Sequence, residues 1–208
     1  MPLHHFDNEK QQALRKLATI DKSKKGSLDK LIVPILALLN EHPDYYTTSS
    51  CSGRIMVLAV TASRRKDHAE WFYTTHEPSS VKDVVKALIN TSLPSEKTSK
   101  RGEGVWLKQE SAILHVACRD LVSAEILLEI VRSAGFKRAG IIATRRRVML
   151  EIIGTDAVAI PLGTGKKILV TRSYISFAVS ICNDRLKANQ RKLEALSKAL
   201  STLSKTTR

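Results

Sequence analysis

Apolar residues recur along this chain in two rhythms, and each change of rhythm marks an element. Phe6, Leu14, Leu17 and Ile20 fall at near-helical spacing and predict a first helix over 7–19. The segment DKSKKGS breaks that pattern with a glycine. Leu28, Leu31, Ile32, Ile35, Leu38 and Leu39 then line one face of a second helix over 27–41. Ser27 supplies an N-cap, and His42-Pro43 ends the helix.

The rhythm next turns strand-like. A short strand at 45–49 and the β-branched, apolar run RIMVLAVTA at 54–62 are separated by small polar residues. EWFYTT at 70–75 reads as a third strand, and VKDVVKALIN at 81–90 as a short helix capped by Ser79 or Ser80. The polar stretch TSLPSEKTSKRGEG is a loop.

Strands follow at 104–109 and 112–117. Asp120 can cap a helix over 121–133 that stops at Gly135. Strands at 139–144 and 148–153 flank an arginine triplet as a hairpin, and an apolar stretch at 157–161 leads into GTGKK. A long helix over 174–203 carries Ile181, Leu186, Leu193, Leu196 and Leu200. Helices first, then mixed strands and helices, predict an α+β fold with a mixed sheet. The expected organisation is a single catalytic domain over 1–173. A long basic C-terminal helix over 174–208 would pack on it or extend from it.

Composition narrows the class. With 43% hydrophobic and 26% charged residues the chain has the make-up of a soluble globular protein. It has no apolar run near the roughly 20 residues a membrane helix needs, and no secretory pattern in MPLHHFDNEKQQ. These features predict a cytoplasmic protein without a membrane partner. Cys51, Cys118 and Cys182 are widely spaced, with neither a CxxC pair nor clustered ligands, so no disulfide framework and no metal are expected.

Charge adds a partner. The formal net charge is +14, which favours a polyanion through counterion release, although a merely soluble basic surface would give the same sum. The cations are clustered: Lys22, Lys24 and Lys25; Arg64, Arg65 and Lys66; Lys97, Lys100 and Arg101; Arg145, Arg146 and Arg147. Of these, Lys22, Lys24, Arg64, Arg65 and the triplet Arg145–Arg147 are the expected RNA contacts.

Candidate chemistry concentrates in TTSSCSGRI, residues 47–55. Hydroxyls and amides donate hydrogen bonds, Gly53 lets backbone approach a ligand, and Arg54 offers a forked cation for carboxylate or phosphate. Ser49, Ser50, Cys51 and Ser52 complete this candidate binding segment. A polar hairpin turn around a buried cysteine would read the same way. GTGKK has neither the spacing of a phosphate-binding loop nor the place of a first βα turn, so a doubly wound nucleotide site is excluded.

DKSKKGSLDK, TTSSCSGRI and WFYTTH, followed by ILHVACRD and GFKRAGI, resemble in sequence and order the tRNA wybutosine-synthesizing protein 3 family. The resemblance covers about Phe6 to Pro161, with SSCSGR its most specific part. It differs where Ala139 replaces a common serine, and the C-terminal helix lies beyond it. It implies S-adenosylmethionine as cofactor. It also implies methylation of ring nitrogen N4 of a tricyclic wyosine-type guanosine next to the anticodon of phenylalanine tRNA.

Such a transfer needs positioning and a group that takes a proton from the ring nitrogen. His76 and His115 are the candidates, because imidazole titrates near neutrality. In the family's KG-x-x-D element Lys25 is read as a phosphate or substrate contact, and Asp29 as a helix-dipole partner or a ribose ligand. Arg119 could hold the methionine carboxylate, an RNA phosphate, or nothing. Trp71 and Tyr73 are read as core before stacking groups. Two other classes stay open: a non-catalytic RNA-binding protein and a nucleotide-binding regulator. No oligomeric state follows from the pattern.

Overall fold

The structure is a computed structural model that describes residues 3–18, 29–60, 70–89, 104–164 and 167–206. Its elements run α1 (Leu3–Ala18), α2 (Val33–Glu41), β1 (Tyr45–Cys51), β2 (Arg54–Val60), β3 (Glu70–Thr75) and α3 (Val81–Ile89). They continue with β4 (Gly104–Glu110), β5 (Ile113–Cys118), α4 (Leu121–Ser133), β6 (Gly140–Ala143), β7 (Val148–Ile153), β8 (Val158–Gly163) and α5 (Arg172–Thr206). The fold is α+β, as expected, but in place of one mixed sheet the described residues form two antiparallel four-stranded sheets.

Two compact units share the chain. One takes Met1–Ser52, Ala112–Thr155 and Asn189–Arg208; the other takes Gly53–Ser111 and Asp156–Ala188. The long C-terminal helix, expected to pack on the body or extend from it, contributes to the cores of both units. Ile175, Ala178, Val179, Cys182 and Leu186 enter the core of the second unit, while Leu193, Leu196 and Leu200 enter that of the first. A helical stripe that continues apolar for seven turns has to be buried all along its length.

In the first unit the sheet order is β1-β5-β7-β6. Leu114 and Val116 of β5 and Leu150 and Ile152 of β7 point to one face, where they bury against α2, α4 and the end of α5. Period-two alternation sends Ile113, His115 and Ala117 to the other face. There Phe6 of α1 packs on Tyr46 and Ala117, with the Phe6 and Tyr46 ring centroids 5.2 Å apart. Helix α4 is held by a capping box in which the Asp120 side chain accepts from Ser123 N–H at 2.8 Å. It ends at Gly135 with φ 101°, a left-handed stop.

Helix α2 begins later than expected. Ile32 N–H donates to the carbonyl of Asp29 at 3.0 Å, forming a turn, and Pro34 sits where a first helical turn wants it. Ser27, the expected cap, lies outside the described residues.

In the second unit the order is β3-β2-β4-β8. β2 is central, and Ile55 through Ala59 are all buried, so its continuous apolar run belongs to a strand covered on both faces. β1 and β2 lie in different sheets, so the segment between them crosses from one sheet to the other and is not a hairpin turn. The arginine triplet does form the expected hairpin between β6 and β7.

Candidate active site

A β-bulge decides what β1 presents. Tyr46 pairs with Ala117 and Thr47 with Val116, but the next partner of β5, His115, faces Ser49. One extra residue in β1 therefore turns Ser49 onto the α1 face, where strict alternation from Tyr46 would have put it on the core face. The bulge is pinned from both sides. Thr47 N–H donates to Asn40 Oδ1 at 2.8 Å, and Thr48 Oγ1 donates to the His115 carbonyl at 3.3 Å.

The consequence is a polar row across three strands. Ser49 Oγ lies 2.6 Å from His115 Nδ1, and His115 Nε2 lies 3.0 Å from Glu151 Oε1. Glu151 pairs with His115 in the sheet register, so the row is built into the ladder. An ionised carboxylate only accepts, so Nε2 carries the hydrogen and Nδ1 accepts from the serine. Glu151 escaped the sequence reading; as a lone acid in an apolar strand, opposite a histidine, it was the available signal.

Beside this row, α1 and β1 enclose a cleft of about 550 Å³. Thr47, Thr48, Ser49 and Ser50 form one wall, and Glu9, Gln12, Lys16 and Arg147 stand on the other sides. Arg147, one of the expected RNA contacts, grips Glu9 with Nε at 3.0 Å and Nη2 at 2.7 Å. Tyr46 also donates to Glu9, at 3.0 Å. Burial pushes the Glu9 carboxyl up, but the hydrogen bonds from Arg147 and Tyr46 outweigh it, and the net shift is downward.

The rest of the signature segment is held on every side. Ser52 donates through N–H and Oγ to Asp29 Oδ2, at 3.3 and 3.0 Å, and its carbonyl accepts from Asn189 Nδ2 at 2.7 Å. Asp29 thus serves as the acceptor that fixes Ser52. Asn189, fully buried, also accepts from Ala112 N–H at 2.7 Å. It occupies the slot between Leu186 and Leu193 in the apolar stripe of α5. A polar residue in that slot was the signal by which it could have been found.

In the second unit Gly53 takes φ 90°, and its carbonyl lies 2.7 Å from His76 Nδ1. A carbonyl accepts only, so Nδ1 bears a hydrogen. Arg54 directs Nε and Nη2 to Glu110, at 3.3 and 3.2 Å, and its guanidinium lies 4.6 Å from the Trp71 ring centroid. Trp71 is 40% exposed, so the expectation of a core tryptophan is corrected: its ring lies under a cation at the surface. Tyr73 is half-buried and accepts from Ser79 Oγ.

Arg119 stands apart. It lies four residues beyond His115, about 13 Å along β5 at strand spacing. There it donates to Asp44, Asp7 and the Pro43 carbonyl, at 2.7, 2.7 and 2.9 Å, and stacks on Phe6. Arg145 and Arg146 are exposed. Lys22, Lys24, Lys25, Arg64 and Arg65 lie outside the described residues, as do Lys66, Lys97, Lys100 and Arg101. Cys118 and Cys182 are buried thiols pushed up to about 12, which makes them poor nucleophiles at neutral pH.

Two antiparallel sheets, and a hydroxyl-walled cleft with a serine-bound histidine beside it, define an α+β enzyme outside the doubly wound transferases. The profile of the family Methyltransferase TYW3 matches residues 8–202, and the chain belongs to that family. The chain is 36% identical over 192 residues to the mouse tRNA wybutosine-synthesizing protein 3 homolog, covering 90% of this chain and 70% of the mouse protein. It is 34% identical over 194 residues to the Pyrococcus abyssi tRNA(Phe) 7-((3-amino-3-carboxypropyl)-4-demethylwyosine(37)-N(4))-methyltransferase 2, covering 93% and 89% of the two chains. The Arabidopsis thaliana tRNA wybutosine-synthesizing protein 2/3/4 is 34% identical to 95% of this chain, which spans only 21% of the plant protein's length. The solved structure of the PH1069 protein from Pyrococcus horikoshii superposes with a TM-score of 0.82 at 30% identity, covering 95% and 97% of the chains.

Proposed function

We propose that this chain transfers a methyl group from S-adenosylmethionine to ring nitrogen N4 of the tricyclic wyosine-type guanosine next to the anticodon of phenylalanine tRNA. Family membership and the name of the Pyrococcus abyssi relative support the reaction class. The observation that carries the residue assignment is the hydroxyl-walled cleft of about 550 Å³ beside the Ser49–His115 pair.

That cleft suits the donor in size and chemistry, since small-molecule sites run from about 300 to 1,000 Å³. Lys16 would face the methionine carboxylate, and the β1 hydroxyls would meet the ribose and amino groups. Bound there, the cofactor would supply an electrophilic methyl on a sulfonium. The chain's own work is then positional: the cleft walls align the ring nitrogen with the methyl, and His115 receives the proton that the nitrogen sheds. His76 is the second candidate base, held by its Nδ1 against the Gly53 carbonyl. Arg54, braced by Glu110 and Trp71, is a contact for the anionic part of a substrate. Exposed Arg145 and Arg146 meet RNA phosphates, and the site of action is the cytoplasm.

The test is direct. The protein is incubated with labelled methyl donor and phenylalanine tRNA that carries the unmethylated tricyclic precursor. Label should enter the tRNA and require the precursor; no label from a folded protein would remove the proposal. Saturable binding of S-adenosylmethionine without RNA, measured by calorimetry, separates this reading from a non-catalytic RNA-binding protein.

A further inference from the structure

The Ser49–His115–Glu151 row is more specific than a histidine near a cleft, because each hydrogen in it has only one place to be. Glu151 Oε1 accepts the Nε2 hydrogen at 3.0 Å, which leaves Nδ1 to accept from Ser49 Oγ at 2.6 Å. The three residues occupy matched positions on three neighbouring strands, Ser49 opposite His115 and His115 opposite Glu151. Their spacing is therefore set by the sheet ladder. Only Ser49 of the three lines the cleft. The Ser49 hydroxyl therefore stands between the cleft and His115 Nδ1.

We infer that Glu151 is a positioning residue that fixes the tautomer of His115, and that the Ser49 hydroxyl is the group that takes the substrate's proton. This rests on the methyltransfer reading above. As the ring nitrogen forms its bond to the methyl carbon, the methyl–sulfur bond breaks and its electron pair stays on sulfur. The N–H proton passes to Ser49 Oγ while the proton of that hydroxyl passes to His115 Nδ1. The resulting imidazolium keeps its Nε2 hydrogen bond to the Glu151 carboxylate. No oxidant or further reactant is needed, and the row is reset when His115 gives up its extra proton to water. A carboxylate that holds a histidine in one tautomer acts in this way in the Ser-His-Asp hydrolases.

The decisive variant is Glu151→Gln, which keeps the size of the side chain. An amide can donate to Nε2 and so drive the hydrogen onto Nδ1, where it blocks acceptance from Ser49. Two readouts are taken on the full chain. One is side-chain nitrogen NMR of histidine-labelled protein at about pH 8, where imidazole is neutral, with His115→Gln used to assign the signal. The other is kcat and KM for methyl transfer.

The wild type should show Nε2 protonated and Nδ1 bare, and Glu151→Gln should lose that pattern. Its kcat should fall about 10²- to 10⁴-fold, with KM changed less than about threefold. Ser49→Ala should lower kcat comparably yet leave the His115 tautomer in place. A wild-type His115 protonated on Nδ1, or a Glu151→Gln enzyme with wild-type kcat, would overturn the inference. A wild type that shows the expected tautomer but transfers no methyl would instead refute the enzymatic reading, which keeps the two failures apart. Should Glu151→Gln fold poorly, Glu151→Asp provides the same nuclear magnetic test with an acceptor retained: the wild-type tautomer must persist there.

Discussion

At the scale of single residues, the cations of this protein divide into those that hold the fold and those left to a partner. Arg119 has three acceptors on the protein and a ring beneath it, so it is an internal brace. Arg119→Ala should cost about 2–3 kcal/mol in denaturant unfolding, since each hydrogen bond between charged groups contributes about 1.5–3 kcal/mol and partial exposure discounts the sum. Binding of the methyl donor should be unchanged in that variant, as calorimetry would show. Arg147 belongs with the braces, through Glu9. The Glu9 carboxyl is held below its usual range in the folded state, so its contribution is present above about pH 4.5, the ordinary carboxylate value, and is lost as pH falls through the folded value. Acid unfolding of Glu9→Gln should accordingly show a shallower slope below about pH 4.5; an unchanged slope would assign the acid limb to other groups.

At the scale of elements, side chains on α5 complete the backbone of the segments that connect the strands and helices. Asn183 of α5 accepts from Ser79 N–H and donates to the Ser79 carbonyl, at 2.8 and 2.9 Å, six residues before Asn189 performs the same double service for Ala112 and Ser52. Asn189→Leu preserves the volume but leaves a buried N–H and a buried C=O unmet. Each such group costs about 1–3 kcal/mol, and the expected loss is about 2–5 kcal/mol by thermal or chemical unfolding. A loss below about 1 kcal/mol would mean that water replaces the amide.

Much at this scale was legible in the sequence. The strands at 70–75 and 148–153, and α4 with its Asp120 cap and Gly135 stop, stand where periodicity and capping chemistry put them. The start of α2 was not legible, because the apolar spacing of Leu31 and Ile32 continues through a turn that the Asp29 carbonyl closes. The bulge in β1 was invisible too. It depends on Asn40, seven residues away from Thr47, and only the bulge makes Ser49 and His115 neighbours. Both histidines and the hydroxyl segment could be singled out by residue type, whereas Glu151 and Asn189 gain meaning only from the partners that folding brings them.

For the whole molecule, two of the clustered cations have a defined place among the described residues. Arg145 and Arg146 project from the β6–β7 hairpin in the unit that holds the cleft. Their joint replacement by alanine should weaken tRNA binding and lower the magnitude of the salt slope by about 1.4–1.8, at about 0.7–0.9 for each phosphate no longer neutralised. Unfolding free energy should stay within about 0.5 kcal/mol of the wild type, as for surface substitutions generally. An unaltered slope would turn that hairpin away from the RNA. No helix among the described residues is long and apolar enough to cross a membrane.

The sharing of α5 between two cores governs how the chain comes off the ribosome. One core lacks Ile175 to Leu186 and the other lacks Leu193 to Leu200 until that helix has been made. Until then the part of each core that α5 covers stays open to water. A chain ending before Arg172 would lack part of both cores, so protease should cut it in each unit faster than it cuts the full chain.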